Sequence, residues 1–285
     1  MTARETAPPT ISIVTSLFNQ LDRTKEFLRS LEATLGDIRY EVILVDDASS
    51  DETTDFLDEL DSSYRVLRNA ENKGFAFANN RGAKIAKSEV LAFLNNDLVL
   101  TPGWFAPMFD CLISQQRVGC VGNVQLDANS GRIDHAGIYF EVDGSARHAY
   151  KGRRYLSNLA NSPGRALTGA CFLIKKDLFL EAGGFDTGYT NGLEDIDLCL
   201  RLGERGYRHF VCTSSRVYHW VSSSRGRGDG ESPANIERFQ ERWGGAQLFE
   251  PKEWALGYIG RYIGRPWLMH PFRAIRALCY LIRSG

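Results

Sequence analysis

The chain has no run of 18 apolar residues, the minimum for a helix that crosses a bilayer. Its first stretch, Met1 to Pro9, is polar and proline-containing and lacks the apolar core of a secretory leader. None of the six cysteines forms a Cys-x-x-Cys pair, and most lie inside apolar runs. That pattern argues against zinc ligands and disulfides. It predicts buried free thiols at Cys111, Cys120, Cys171, Cys199, Cys212 and Cys279, in a reducing compartment. An excess of one charge is also missing: 34 Lys and Arg face 35 Asp and Glu, a net −1, so no nucleic-acid partner is expected. No internal repeat is present. Glycine is absent where the first strand signal ends, at Leu17-Phe18-Asn19-Gln20. A dinucleotide oxidoreductase needs a Gly-rich turn there, and a sugar nucleotidyltransferase a Gly-rich basic loop, so both classes are disfavoured. A cytoplasmic location follows as the default.

What is present is a globular chain of 285 residues, 43% hydrophobic and 24% charged, enough to build a sizeable core. Strand and helix signals alternate through the first 125 residues. Ile11 to Leu17, Glu41 to Val45, Tyr64 to Leu67, Val90 to Leu94 and Val118 to Val124 read as strands. Asp22 is placed to cap a helix carrying Phe27, Leu28, Leu31 and Leu35, and Asp51 to cap the next. Gly74 to Lys87 and Trp104 to Ile113 read as further helices. The alternation predicts an α/β fold with a mainly parallel sheet covered on both faces. Asn129 to Pro163 is polar and short in pattern, a loop region with a hairpin. Thr168 to Lys175 and His209 to Thr213 read as strands, and Leu193 to Arg205 as a helix stopped by Gly206. Ser222 to Ser232 is rich in Gly, Ser and Arg.

Three acidic clusters stand out: Asp46-Asp47 with Asp51, Asn95-Asn96-Asp97, and Glu194-Asp195 with Asp197. The first two fall at strand ends, where ligands bind in open α/β sheets. Carboxylates there are badly placed for packing. They suit a divalent cation, a nucleotide and a proton transfer. Together they point to sugar transfer from a nucleotide-sugar. Each has a plainer alternative: Asp46-Asp47 as a solvated turn with Asp51 as a helix cap, Asn95 to Asp97 as a turn, Glu194-Asp195 as acids favoured at a helix N-terminus, and Asp197 with Arg201 as an exposed i,i+4 pair.

The motifs resemble family 2 glycosyltransferases of the GT-A fold, in particular bacterial O-antigen and surface-polysaccharide enzymes such as rhamnosyltransferases. The matching elements are Val14-Thr15-Ser16-Leu17-Phe18-Asn19, Val45-Asp46-Asp47-Ala48-Ser49-Ser50-Asp51, and Asn72-Lys73-Gly74-Phe75-Ala76 with Ala78, Asn80 and Gly82. Asn95-Asn96-Asp97, Thr168-Gly169-Ala170, Gly183-Gly184-Phe185-Asp186, Glu194-Asp195 and His219 complete the set. They occur in family order between residues 11 and 220. The resemblance implies that Asp47 accepts a hydrogen bond from a uracil ring, with Thr15, Asn19, Gly74, Asn80, Asn96 and Gly169 around the nucleotide-sugar. It implies Asp97 and His219 as ligands of Mn²⁺ or Mg²⁺ bridging the donor diphosphate; Asn95 replaces the first carboxylate of the usual Asp-x-Asp. Asp195, or Glu194 in its place, would be the general base of an inverting displacement on a saccharide or lipid-linked glycan acceptor. UDP-sugars are the default donor, with dTDP-rhamnose the alternative. Asp134-His135-Ala136-Gly137 resembles a segment of polysaccharide-building members and is expected near the acceptor.

The implied organisation is a catalytic domain over 1–245, with a nucleotide-binding half near 10–125 and an acceptor-binding half near 126–245. A helical extension follows over 246–285. From Trp254 onward the chain holds five arginines, many aromatic and aliphatic residues and no acid. That composition fits an interfacial basic segment on an anionic membrane, peripheral at the inner face of the cell membrane, or a helical hairpin packed on the domain or on a partner. Arg225 and Arg227 would sit on a lid over the diphosphate. A different class of function, a non-catalytic carbohydrate-binding or scaffold protein of the same fold, would not require Asp47, Asp97, Asp195 and His219 together.

Overall fold

A computed structural model describes residues 9–114, 116–155, 161–221 and 232–283. The N-terminal half alternates as expected. Strands β1 (Ile11–Leu17), β2 (Tyr40–Asp46), β3 (Tyr64–Arg68) and β4 (Val90–Leu94) are separated by helices α1 (Leu21–Leu35), α2 (Thr53–Asp58) and α3 (Gly74–Ile85). A short β5 (Leu98–Leu100), helix α4 (Phe105–Ser114) and strand β6 (Val118–Asp127) follow. Then come β7 (Ile133–His135), the hairpin of β8 (Ile138–Phe140) and β9 (Ala146–His148), β10 (Ser162–Gly164) and β11 (Cys171–Lys175). The remainder is α5 (Lys176–Glu181), α6 (Glu194–Glu204), β12 (Arg208–His219), α7 (Pro233–Trp243), α8 (Pro251–Tyr262) and α9 (Pro271–Arg283).

The main sheet runs β10-β12-β6-β11-β4-β1-β2-β3. It is mixed, and its longest ladders, β1 with β2 and β6 with β12, are parallel. β11 enters antiparallel between β4 and β6. This wedge is why Thr168 to Ala170 do not pair as a strand: they cross the carboxyl end of β4, where Ala170 O accepts the Asn95 N–H. Strand β4 is buried on both faces and reads as a continuous apolar run, as a central strand should. β12 is far longer than the sequence pattern suggests. Its register slips against β6 between Cys212 and Arg216, then runs on to His219.

Several local expectations change. Asp22 does not cap α1; the Leu21 N–H is met by Asp51 Oδ2 from the neighbouring loop. The Asp197–Arg201 pair is not exposed. Asp197 is fully buried beneath α7, bonded to Arg201 Nε (2.7 Å) and Trp243 Nε1 (3.0 Å), while Arg201 donates to the carbonyls of Ala182 and Gly184. Five cysteines are buried free thiols as expected, but Cys279 is exposed. Trp254 and Tyr258 are buried rather than interfacial, because α8 packs on β8 and Trp254 Nε1 donates to Glu141. Helix α9 rests on α8 and leaves Phe272, Ile275, Leu278 and Ile282 exposed. Among the described residues, no helix is long and apolar enough to cross a membrane.

Cys120, Cys199 and His209 converge in the core, yet both ring nitrogens of His209 are committed. Nδ1 accepts the Cys120 N–H (3.0 Å), which leaves Nε2–H to donate to the Cys199 carbonyl (2.9 Å). No lone pair remains for a metal. Burial pushes the His209 pKa down to about 4, against a weaker opposing pull from the Cys199 carbonyl. An unfolded histidine titrates near 6.5, so only the unfolded state gains a proton between pH 6.5 and about 4, and stability falls as pH drops through that window. At pH 5 the His209 share of the loss is about 2 kcal/mol. Urea titrations at pH 7 and pH 5 on wild type and His209→Gln check this: the variant should show the smaller drop.

Candidate active site

The predicted acidic residues converge on one cleft of about 540 Å³, beyond the carboxyl ends of β1, β2 and β4. Its lining includes Asp47, Gly74, Asn96, Asp97, Gly169, Glu194, Asp195 and His219. A larger cavity, about 870 Å³, lies between α6, α7 and α8; its lining includes Ala136 and Gly137 of the expected acceptor segment but none of the three acidic clusters. In its lining, burial pushes the Glu253 pKa up to about 7 against the pull of Arg165.

Asp47 follows β2 and meets the N-terminus of α3. Its carboxylate accepts from the backbone N–H groups of Lys73 (3.0 Å) and Gly74 (2.6 Å) and from Asn69 Nδ2 (2.5 Å), whose own oxygen takes a bond from Arg81. A carboxylate at a helix N-terminus is favoured by the unpaired N–H groups there. Gly74 has a left-handed φ of 83°, and an added Cβ would lie 3.2 Å from Asn191 Oδ1. That same oxygen accepts the Phe75 N–H (2.8 Å). The first turn of α3 is thus capped from both sides of the cleft.

Asp97 and His219 come together although they lie on separate elements. The antiparallel pairing of β5 with β12 aligns His219 with Leu98, next to Asp97, and brings His219 Nε2 to 3.2 Å from Asp97 Oδ1. The Trp220 N–H donates to the Asp97 carbonyl, and the Trp220 ring is clamped on α1 by Glu26 and by Arg23 stacked 3.7 Å above it. Burial alone would lower the His219 pKa; the Asp97 carboxylate, then Asp134, outweigh it and raise the pKa. His219 Nδ1 is buried with no hydrogen-bond partner. One imidazole and one carboxylate side by side in an oxygen-rich cleft fit Mn²⁺ or Mg²⁺, with the remaining positions left to phosphate and water.

Glu194 and Asp195 open α6, after the left-handed residues Asn191 and Leu193. Strain of this kind concentrates at functional sites. Glu194 is buried and turned back to the Gly192 N–H (2.6 Å). Asp195 is more exposed. Its Oδ2 accepts from Gly169 N (2.5 Å) and its Oδ1 from Ile196 N (2.8 Å). Gly169 therefore orients Asp195, a role that needs only its backbone.

Not every predicted residue lines the cleft. The Thr15 hydroxyl is buried in the sheet without a hydrogen-bond partner, and the adjacent Ser16 lines the cleft instead. Asn19 ties two loops: its side chain accepts from Ser50 N and its backbone donates to Ser49. Asn80 docks α3 on the Gly-Gly-Phe-Asp turn, bonding both the N–H and the carbonyl of Phe185. Asp186 of that turn pairs with Arg238 and Arg242 of α7. Asn96 lines the cleft and also anchors to Thr24 of α1 (3.0 Å). Asp134 lines the cleft with His148 and Lys151 beside it, whereas His135 is buried and absent from the lining, and Ala136 and Gly137 line the larger cavity. Sequence reasoning missed Asn191 and Lys151. Nothing in the linear pattern marks them, since each reaches the site through long-range folding. The Ser222 to Gly230 segment, with Arg225 and Arg227, lies outside the described residues.

The chain resembles known proteins in sequence and in fold. The Glycosyl transferase family 2 profile matches residues 12–183. O-antigen biosynthesis protein RfbC of Myxococcus xanthus is 32% identical over 233 residues, covering 76% of this chain and 18% of RfbC. The N-acetylglucosaminyl-diphospho-decaprenol L-rhamnosyltransferase of Mycobacterium tuberculosis is 25% identical over 209 residues, covering 65% of this chain and 68% of that enzyme. This chain thus spans less than a fifth of the longer relative. Among solved structures, GalNAc-T7 with UDP, GalNAc and Mn²⁺ superposes with a TM-score of 0.62 at 19% identity, over 92% of this chain and 51% of that one, which shows a shared GT-A fold. With the motifs in family order, the fold matched and the profile covering more than half of its length, the chain belongs to glycosyl transferase family 2.

Proposed function

We propose that the chain is an inverting, divalent-metal-dependent glycosyltransferase. It moves a sugar from a nucleoside diphosphate donor to a saccharide or lipid-linked saccharide in cell-surface polysaccharide synthesis. The observation that carries this reading is the convergence of Asp47, Asp97, His219 and Asp195 on one cleft. Asp47 is held by α3 where a nucleobase N–H would be accepted, in line with UDP or dTDP. Asp97 and His219 would hold the metal, which when bound neutralises charge on the departing diphosphate. Asp195 takes the proton of the acceptor hydroxyl as that oxygen attacks the anomeric carbon from the face opposite the diphosphate. Its two backbone N–H bonds fix the direction of the carboxylate, and proton transfer requires that geometry. Glu194, buried and bonded to Gly192, supports the loop rather than the chemistry. The test is thermal shift with UDP, dTDP, GDP and CDP, with and without Mn²⁺. A ligand that binds only the native state raises the melting temperature. One nucleotide should give a Mn²⁺-dependent rise; no rise with any of the four would favour a non-catalytic carbohydrate-binding protein.

The tail supports a membrane-facing acceptor. Trp267, Phe272, Ile275, Leu278 and Ile282 are exposed, and 254–285 contains five arginines and no acid. An apolar stripe rimmed by arginine suits an anionic lipid surface. The chain should float with vesicles containing phosphatidylglycerol and not with pure phosphatidylcholine, and Phe272→Ser/Ile282→Ser should abolish flotation. Flotation unaffected by lipid charge or by the substitutions would count against this role.

A further inference from the structure

Among the described residues, the charge in the cleft is lopsided. Its described lining carries five carboxylates, Asp47, Asp97, Asp134, Glu194 and Asp195, and a single Lys or Arg side chain, Lys151. A nucleoside diphosphate brings further negative charge, more than one divalent ion neutralises. We propose that Lys151 is a diphosphate-binding residue of this cleft, its first ligand being the diphosphate of the sugar donor. The inference rests on the transferase reading above and adds a residue to it.

The loop carrying Lys151 is built to hold it there. Tyr150 and Gly152 on either side are both left-handed, with φ of 58° and 82°. The Gly152 N–H donates to the Ile133 carbonyl (2.6 Å) and the Ile133 N–H to the Arg153 carbonyl (2.8 Å). The turn is therefore pinned to β7 one residue before Asp134. Asp134 Oδ1 accepts from Lys151 Nζ at 2.6 Å, and Asp134 Oδ2 lies 3.8 Å from His148 Nδ1. Asp134 is only 4% exposed and cannot swing away, whereas the Lys151 side chain is 42% exposed. One ammonium donor is committed to Asp134 and two remain for a ligand. Asp134 and Lys151 line the same cleft as Asp97 and His219, so this pair shares the cleft with the proposed metal ligands.

Two molecules bring a diphosphate to such a cleft: the donor and a lipid-diphosphate-linked acceptor. Calorimetric titration of the whole chain with UDP and dTDP in Mn²⁺, and with uridine and thymidine, separates phosphate from base contacts. Lys151→Met should weaken the nucleoside diphosphate that wild type binds by about 10-fold or more, the range for a bond to a charged group. The free nucleoside should be unaffected, and Lys151→Arg should restore most of the loss. Since Lys151→Met strands a buried carboxylate, Lys151→Met/Asp134→Asn is run beside it and should show the same loss with a native melting transition. Unchanged donor affinity with a raised KM for a prenyl-diphosphate-linked acceptor, but not for a free saccharide, would assign Lys151 to the acceptor diphosphate. If neither donor affinity nor acceptor KM moves while wild type binds nucleotide, the assignment is wrong. If wild type binds no nucleoside diphosphate, the transferase reading fails with it.

Discussion

Replacing Asp195 by Asn is expected to lower the sugar-transfer rate by about 10³, within the range assigned to a positioned general base, while leaving nucleotide binding intact. Asparagine keeps the shape and still accepts one backbone N–H, but it cannot take the acceptor proton. The two donors that orient the wild-type carboxylate come from Gly169 and Ile196, outside the donor half, so the nucleotide-induced rise in melting temperature should persist. Glu194→Gln is the matched control. Its carboxylate is turned to the Gly192 N–H, and its loss should appear in stability more than in rate. Initial rates with labelled donor, read beside the thermal shift, distinguish the two. Asp195→Asn activity within threefold of wild type would remove the residue from the base role.

The second large effect is expected at Asp97. Asp97→Ala should abolish the Mn²⁺-dependent part of nucleotide binding and lower kcat/KM by about 10²–10³, matching several kcal/mol of charge stabilisation at the leaving group. The removal also frees His219 from the carboxylate 3.2 Å away. Asp97→Asn separates the two consequences, since it keeps a polar neighbour for His219 but weakens a hard-cation ligand. Titration of Mn²⁺ into nucleotide-saturated protein reads the metal directly. Wild-type Mn²⁺ affinity in both variants would show that the metal, if bound, is held elsewhere.

Much of this architecture was legible in the sequence because local rules dominate the N-terminal half. Buried apolar runs at β1, β2 and β4 have no other use, and Phe27, Leu28, Leu31 and Leu35 mark one face of α1. Asp97, His219 and Asp195 were singled out by the motifs they share with the family, and the fold brings them to one cleft. Thr15, Asn19 and Asn80, named by the same motifs, do not line the cleft. Membership of a motif does not separate a residue that touches a ligand from one that ties the loops around it, and Asn19 and Asn80 do the second. The Asp197–Arg201 pair looked solvated because i,i+4 spacing says nothing about what covers a helix, and here α7 does. Lys151 was invisible because its environment is set by β7 and by two left-handed neighbours, none of which composition reveals.

The bonds that close the cleft span very long stretches of chain. The Phe75–Asn191 bond joins residues 116 apart, and the Trp220–Glu26 bond, which fixes the strand end carrying His219, joins residues 194 apart. Contacts of such separation pay their loop-closure entropy late in folding. During synthesis from the N-terminus, β1 to β4 and the Asp47 cap on α3 assemble from adjacent chain, whereas the metal pair waits for β12. A ribosome stalled short of His219 would thus carry a chain that has the residues of the Asp47 cap on α3 but lacks the Asp97–His219 pair.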